Sequence, residues 1–106
     1  MKVAIFIKNN ELTVLHEENV HVIIFNLKDD KVIGVKNIVL EKQTNDSIVY
    51  WLILNSINQI YISEINDQTL QRVKSKGIEV KTLESLENDK LYNTLALSSF
   101  KLKKSQ

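Results

Sequence analysis

Apolar residues along the chain occur in short runs separated by polar, turn-forming residues, as in proteins that alternate strands with helices. Residues 59–62 form an apolar, β-branched run, which predicts a buried strand. Helical spacing of apolar residues follows Asn66 or Asp67, either of which suits an N-cap, and it ends before Gly77. Residues 78–83 begin a further strand. A strand, a helix and a strand in about 25 residues predict a βαβ unit with parallel strands.

The N-terminal part carries longer apolar runs, which predict three antiparallel strands. These strands are expected at residues 2–8, 20–28 and 32–41. Asn9-Asn10 and Asp29-Asp30 tolerate positive φ and predict tight turns, and residues 11–15 form a short extended piece. Gly34 and Lys36 interrupt the third run, so this strand is expected at an edge of the sheet.

The apolar run at residues 48–57 predicts the first helix, because candidate caps come directly before it. Those caps are Asn45, Asp46 and Ser47. The run is apolar nearly all round, so one face is expected on the sheet and another against a further helix or a second subunit. The candidate residues for a homodimer or partner surface are Tyr50, Trp51 and Leu54.

Residues 85–97 show helical spacing with Asn88 or Asp89 as a cap, which predicts the last helix. The resulting element order is β-β-β-α-β-α-β-α. It predicts a single three-layer α/β domain at residues 1–97, with a mixed five-stranded sheet whose last two strands run parallel to the first. Residues 98–106 are expected to form a basic C-terminal tail with Lys101, Lys103 and Lys104.

Composition narrows the classes of function. The 106 residues include 14 basic and 13 acidic side chains, so a net charge of +1 creates no field that would recruit nucleic acid or an anionic membrane. Cysteine is absent, which excludes disulfides, thiolate catalysis and cysteine-ligated clusters. The sequence shows neither a signal-peptide core nor about 18 consecutive apolar residues, so the expected location is cytoplasmic, with no membrane partner.

Several stretches together resemble one known family. The opening MKVAIFI, the stretch VIIFNLKDDKV, Trp51-Leu52-Ile53 and Gly77-Ile78-Glu79-Val80 are similar to common choices in the dinitrogenase iron–molybdenum cofactor biosynthesis family. The resemblance covers residues 1–97. It implies a ribonuclease H-like fold and a non-enzymatic carrier or accessory function in the biosynthesis of a metal cofactor.

The family's binding loops are altered in this chain. His16 stands at the family's histidine position, but two glutamates replace the Phe-Gly that usually follows. Ser63, Glu64 and Asn66 stand where the family has a Gly-Gly-x-Gly loop. The resemblance implies that these four residues are the candidate site for an iron–molybdenum or iron–sulfur cluster. Side chains fill the space that glycine leaves open, and Glu64 adds negative charge against an anionic cluster, so cofactor binding is expected to be altered or lost.

The candidate ligands each have a second interpretation. His16 is either a ligand or an exposed loop histidine, whereas His21 is expected to pack or to lie on the surface. Acidic residues near His16 would either hold a hard or borderline cation weakly or form a solvated rim at the strand ends. Those residues are Glu17, Glu18, Glu64 and Asp67.

Catalysis is not expected. Ribonuclease H chemistry needs carboxylates on the central strands to hold two metal ions, and residues 3–7 contain none. Phosphate-loop, nucleophile-elbow and metalloprotease motifs are also absent from the sequence. The function that the resemblance implies is that of a non-enzymatic accessory or carrier protein. The competing hypothesis is a protein-interaction module that uses the first helix and has no small-molecule ligand.

Overall fold

Three antiparallel strands and two strands parallel to the first form most of one mixed sheet. The computed structural model describes residues 1–99, with side chains described through Leu95. The strands are β1 (Lys2–Lys8), β2 (Glu11–Leu12), β3 (Val20–Lys28), β4 (Lys31–Leu40), β5 (Gln59–Tyr61) and β6 (Glu79–Lys81). The helices are α1 (Asn45–Leu54), α2 (Asp67–Ser75) and α3 (Lys90–Ser99), and a 3₁₀ turn spans Leu83–Ser85.

The strand order across the sheet is β4-β3-β1-β5-β6, with β2 also paired to β1. The pairs β1–β3 and β3–β4 are antiparallel, whereas β1–β5 and β5–β6 are parallel. The predicted mixed sheet and βαβ unit are therefore confirmed, but the sheet has six strands instead of the expected five. Asn9 and Asn10 adopt φ values of 55° and 63°, and this turn folds Glu11–Leu12 back onto the end of β1.

Both faces of the sheet are covered, which gives three layers. On one face, α1 and α2 contribute Ile48, Leu52 and Val73 to the larger apolar cluster. On the other face, Leu95 of α3 packs into a second cluster with residues of β1 and β3. Side chains 3–6 of β1 are completely buried, because they lie between the two helical layers.

The first helix begins earlier than its apolar pattern predicts. Thr44 is the N-cap, not one of the three predicted residues, and the helix starts at Asn45 instead of residue 48. Ser47 N–H donates to Thr44 Oγ1 (3.1 Å) and Thr44 N–H donates to Ser47 Oγ (2.8 Å), which is a reciprocal capping box. The helix ends at Leu54, and Ser56 turns the chain away with φ of 56°.

The second helix matches its predicted ends. Asn66 is the N-cap, and Gly77 adopts φ of +78° after the helix. The last helix starts at Lys90, not at residue 85, because Asp89 Oδ1 accepts from Tyr92 N–H (2.9 Å) and acts as its cap. Ser98 and Ser99 belong to α3, and the rest of the predicted basic tail lies outside the described residues. No helix within residues 1–99 is long and apolar enough to cross a membrane.

A buried polar network attaches α3 to the sheet. Tyr61 of β5 is completely buried, and its hydroxyl donates to the Asp89 carboxylate, with O···O distances of 2.9 and 3.1 Å. The Tyr61 oxygen also accepts from Gln59 Nε2 (2.9 Å). The Tyr61 ring lies 5.1 Å from that of Tyr92 on α3, measured between centroids. Burial, reinforced by the nearby Asp89 carboxylate, raises the pKa of Tyr61 far above its usual value.

Replacing Tyr61 by phenylalanine tests this network. Tyr61→Phe removes the hydroxyl that donates to the Asp89 carboxylate, so we expect the free energy of unfolding to fall by about 1–3 kcal/mol. Urea unfolding followed by circular dichroism measures the change. Tyr50→Phe is the matched control, because Tyr50 is 54% exposed on α1, and it should change the free energy by less than about 0.5 kcal/mol. Equal effects of the two substitutions would contradict a stabilising role for the network.

Tyr61 and Tyr92 make the free energy of unfolding depend on pH in the alkaline range. Burial also raises the pKa of Tyr92, to about 12. The unfolded chain loses these phenolic protons near pH 10, whereas the folded chain keeps them. The free energy of unfolding should therefore be unaffected by these groups below about pH 9 and should fall as the pH rises above about 10. Urea unfolding at a series of alkaline pH values measures the slope, which should be smaller in Tyr61→Phe. An identical slope in Tyr61→Phe would show that Tyr61 does not contribute to this pH dependence.

Candidate functional site

A surface cleft lies at the carboxyl ends of β1 and β5, where open α/β sheets commonly bind ligands. It has a volume of about 340 Å³. One wall comes from the segment after β2 and the other from the segment between β5 and α2. The lining residues are Val14, Leu15, His16, Glu64, Ile65 and Asn66.

The cleft exists because two strands share one edge of β1. Residues 3–5 of β1 pair with β5, whereas Ile7 and Lys8 pair with β2. The chain that follows β2 is held between β1 and the end of β5, since Thr13 N–H donates to Phe6 O (2.9 Å) and Ser63 N–H donates to Thr13 O (3.1 Å). These bonds place the two walls of the cleft side by side.

Three of the four predicted site residues line this cleft. His16 is half-buried, and Glu64 and Asn66 are exposed. Ser63 is adjacent in sequence but is not a lining residue. Its backbone connects neighbouring elements instead, because its N–H donates to Thr13 O and its carbonyl accepts from Leu83 N–H (3.3 Å). The structure therefore brings His16, Glu64 and Asn66 together around the cleft, and Ser63 lies beside Glu64 without contributing to the lining.

Asn66 already has a structural function. Its Oδ1 accepts from Thr69 N–H at 2.8 Å, which caps the first turn of α2. A cap of this type contributes about 1 kcal/mol to stability, so the oxygen of Asn66 is explained without a ligand. The start of α2 is fixed further by Thr69 Oγ1, which lies 3.3 Å from Asn45 Oδ1 on α1, and by an ion pair between Arg72 and Asp46.

The acidic residues near His16 do not assemble into a cation site. Glu17 forms an ion pair with Lys8, whose Nζ lies 3.3 Å from Glu17 Oε1, and this hydrogen bond lowers the pKa of the Glu17 carboxyl. Within the described residues, no group of three or more His, Cys, Asp or Glu side chains could hold a metal ion. The structure therefore does not group the acidic residues that the sequence analysis considered around His16. His21 is exposed on β3 and is not a lining residue of the cleft.

The apolar part of the cleft was missed by reasoning from motifs. Val14, Leu15 and Ile65 contribute to its lining, and Leu15 is only 3% exposed because it also belongs to the larger core cluster. The signal was present in the sequence as apolar residues directly beside His16 and Glu64. The cleft is consequently an apolar recess with one imidazole and one carboxylate at its rim.

The residues present do not fit a directly ligated metal–sulfur cluster. Such clusters are held by cysteine thiolates, which this chain lacks, or by a few histidines. His16 is the single imidazole in the lining, the Asn66 oxygen already caps α2, and Glu64 would repel an anionic cluster.

Comparisons with known proteins identify a fold and no family. No protein-family model and no curated protein matches the sequence. Among solved structures, the crystal structure of PH0822 is similar, with a TM-score of 0.66 and 14% sequence identity over 77% of this chain and 76% of that chain. Similarity at this low identity supports the mixed α/β fold of a single domain and carries no information about function.

Proposed function

We propose that this protein is a cytoplasmic, non-enzymatic accessory protein with a ribonuclease H-like arrangement, in which cluster binding has been lost. The strand order β4-β3-β1-β5-β6, with an antiparallel half and a parallel half, supports the ribonuclease H-like assignment. The shared cleft of His16 and Glu64 supports the resemblance to the cofactor-biosynthesis family, because the resemblance predicts both residues for one binding site.

The composition of the cleft is the observation that carries this proposal. Its position fits that of a binding site in an open α/β sheet, but a glutamate and apolar side chains occupy the place of a glycine loop. The absence of acidic residues on the buried part of β1 supports a non-enzymatic role, because two-metal hydrolysis needs carboxylates there.

Anaerobic cluster reconstitution followed by native mass spectrometry tests the proposal. Wild-type protein is expected to remain free of iron, molybdenum and sulfide after incubation with an iron–sulfur or iron–molybdenum cluster donor, because the rim offers one imidazole beside a repelling carboxylate. His16→Ala and His21→Ala should behave in the same way, since neither histidine holds a cluster.

The two histidine variants decide what a positive result means. Stoichiometric cluster in the wild type that is lost in His16→Ala and kept in His21→Ala would contradict the proposed loss and restore a carrier function at the cleft. His21 is a suitable control because it is exposed and lies on β3 outside the cleft lining.

The alternative function is a protein-interaction module based on α1. Tyr50, Ile53 and Leu54 are 54%, 48% and 66% exposed, and their spacing places them on one side of the helix. Trp51 contributes less to this surface, because it is half-buried and its ring packs against Phe6 in an edge-to-face contact, with centroids 6.3 Å apart. The exposed apolar side chains of α1 specifically favour this alternative.

If α1 is the interaction surface, Leu54→Glu should reduce the oligomer mass by placing a charge in an apolar contact. Sedimentation velocity measures that mass. Gln71→Glu adds the same charge to an exposed position of α2 and is the control. Unchanged sedimentation of Leu54→Glu relative to this control would exclude self-association through α1.

A further inference from the structure

β4 is the strand at one end of the sheet, and its side away from β3 is a free edge. β4 runs for ten residues, Lys31–Leu40, and pairs with β3 on one side. Within residues 1–99, no strand pairs with its other side. A long free edge can accept another strand through its backbone N–H and C=O groups.

The direction of those groups follows from the hydrogen bonds of β3. Leu27 N–H donates to Met1 O (2.7 Å), and the Met1 amino group donates to Leu27 O (2.9 Å), so the backbone of Leu27 faces β1. Backbone groups alternate in direction along an antiparallel strand. Phe25, Ile23 and His21 therefore also face β1, and the residues between them face β4.

The same alternation identifies the free groups of β4. Four residues of β4 pair with the residues of β3 that face β4, and their backbone groups therefore bond to β3. They are Gly34, Lys36, Ile38 and Leu40. The residues between them, Val35, Asn37 and Val39, direct both backbone groups to the open edge. Ile33 is the extra residue of a bulge, so the regular part of this edge begins after it.

Apolar side chains are concentrated on this strand. Val35 and Val39 are 53% and 56% exposed. They pair with Phe25 and His21, so they lie on the face of the sheet that also carries α3. Val32 and Ile33 are exposed as well, which makes β4 the strand with the largest amount of exposed aliphatic surface in the described part of the chain. Such a concentration on a free edge indicates a contact surface.

We propose that two copies of this chain associate through β4, antiparallel and with a two-fold axis at Asn37. In this register Asn37 lies opposite Asn37 of the second copy, and Val35 lies opposite Val39 of the second copy. All three outward-facing residues then exchange backbone hydrogen bonds, about six in all. The two Val35–Val39 pairs lie on the α3 face of the joined sheets, one on each side of the Asn37–Asn37 pair.

The sequence around Asn37 is complementary to itself in this register. Val35-Lys36-Asn37-Ile38-Val39 has the same residue at both ends, and Lys36 lies opposite Ile38 of the second copy. Moving the axis to residue 36 would place the two Lys36 side chains directly opposite each other, which is destabilising. Moving it to residue 38 would remove Val35 from the bonded set. Isologous contact between identical surfaces is the usual form of a homodimer.

The proposed contact is small. Two short strands bury less than the roughly 1,600 Å² of a standard stable interface, so we expect a reversible dimer with a Kd in the micromolar range. This interface does not involve the cleft or α1, so it is independent of the proposed function.

Sedimentation velocity over about 1 µM to about 1 mM protein tests this interface, since the mass should rise with concentration. Val35→Lys/Val39→Lys places like charges opposite each other in both pairs and should weaken the dimer at least about tenfold. Val35→Lys/Val39→Glu places opposite charges there and should retain it. Both positions are exposed, so the variants should keep the wild-type circular dichroism spectrum.

The variants separate this register from other contacts. Leu54→Glu should leave the dimer unchanged, because Leu54 lies on α1. A wild-type protein that stays monomeric at about 1 mM would overturn the proposal. So would equal weakening by the two double substitutions, since only the axis at Asn37 brings residues 35 and 39 of the two copies together. Loss of the dimer in Leu54→Glu would assign the interface to α1 instead.

Discussion

The pairing of β1 on both of its edges is the constraint on which the rest of the structure depends. One edge is filled by β3, and the other is divided between β5 and β2. The side chains of residues 3–6 are completely buried on both faces of β1, so this strand requires a sheet that helices cover on both sides. The division of its second edge also opens the cleft, since β2 occupies the place where β5 would otherwise continue alongside β1.

Much of the fold could be predicted because local chemistry and global arrangement agree. The apolar runs gave the positions of β1 and β3 correctly, and Asn66 and Gly77 gave both ends of α2. Thr44 was missed because its capping role depends on a reciprocal bond with Ser47, whereas the apolar run alone begins only at Ile48. Residues 11–15 were predicted as a short extended piece but not counted as a strand of the sheet, because the two residues of β2 are too few to show a periodicity.

The candidate site could be predicted only in part. The resemblance predicted His16, Glu64 and Asn66 as site residues, and these residues do lie around one cleft. Ser63 was predicted for the same reason, but it does not line the cleft, and its backbone bonds to Thr13 and Leu83 instead. The sequence did predict Asp89 as a candidate cap of α3, but spacing along the chain could not reveal that the same carboxylate accepts from Tyr61, or that Glu17 pairs with Lys8. These contacts join residues from separate elements, and only the folded chain brings them together.

The two halves of the sheet differ in how far apart their partners lie along the chain. β1, β3 and β4 all lie within the first 40 residues, whereas the β1–β5 junction includes a bond between Lys2 and Asn58, 56 residues apart. Closing the longer loop costs more chain entropy, and contacts between distant residues slow folding. The antiparallel meander can therefore form first and offer the free edge of β1 as a template. Residues 59–99 would then fold against a surface that their own sequence does not encode, which makes the C-terminal part of the domain dependent on the N-terminal part.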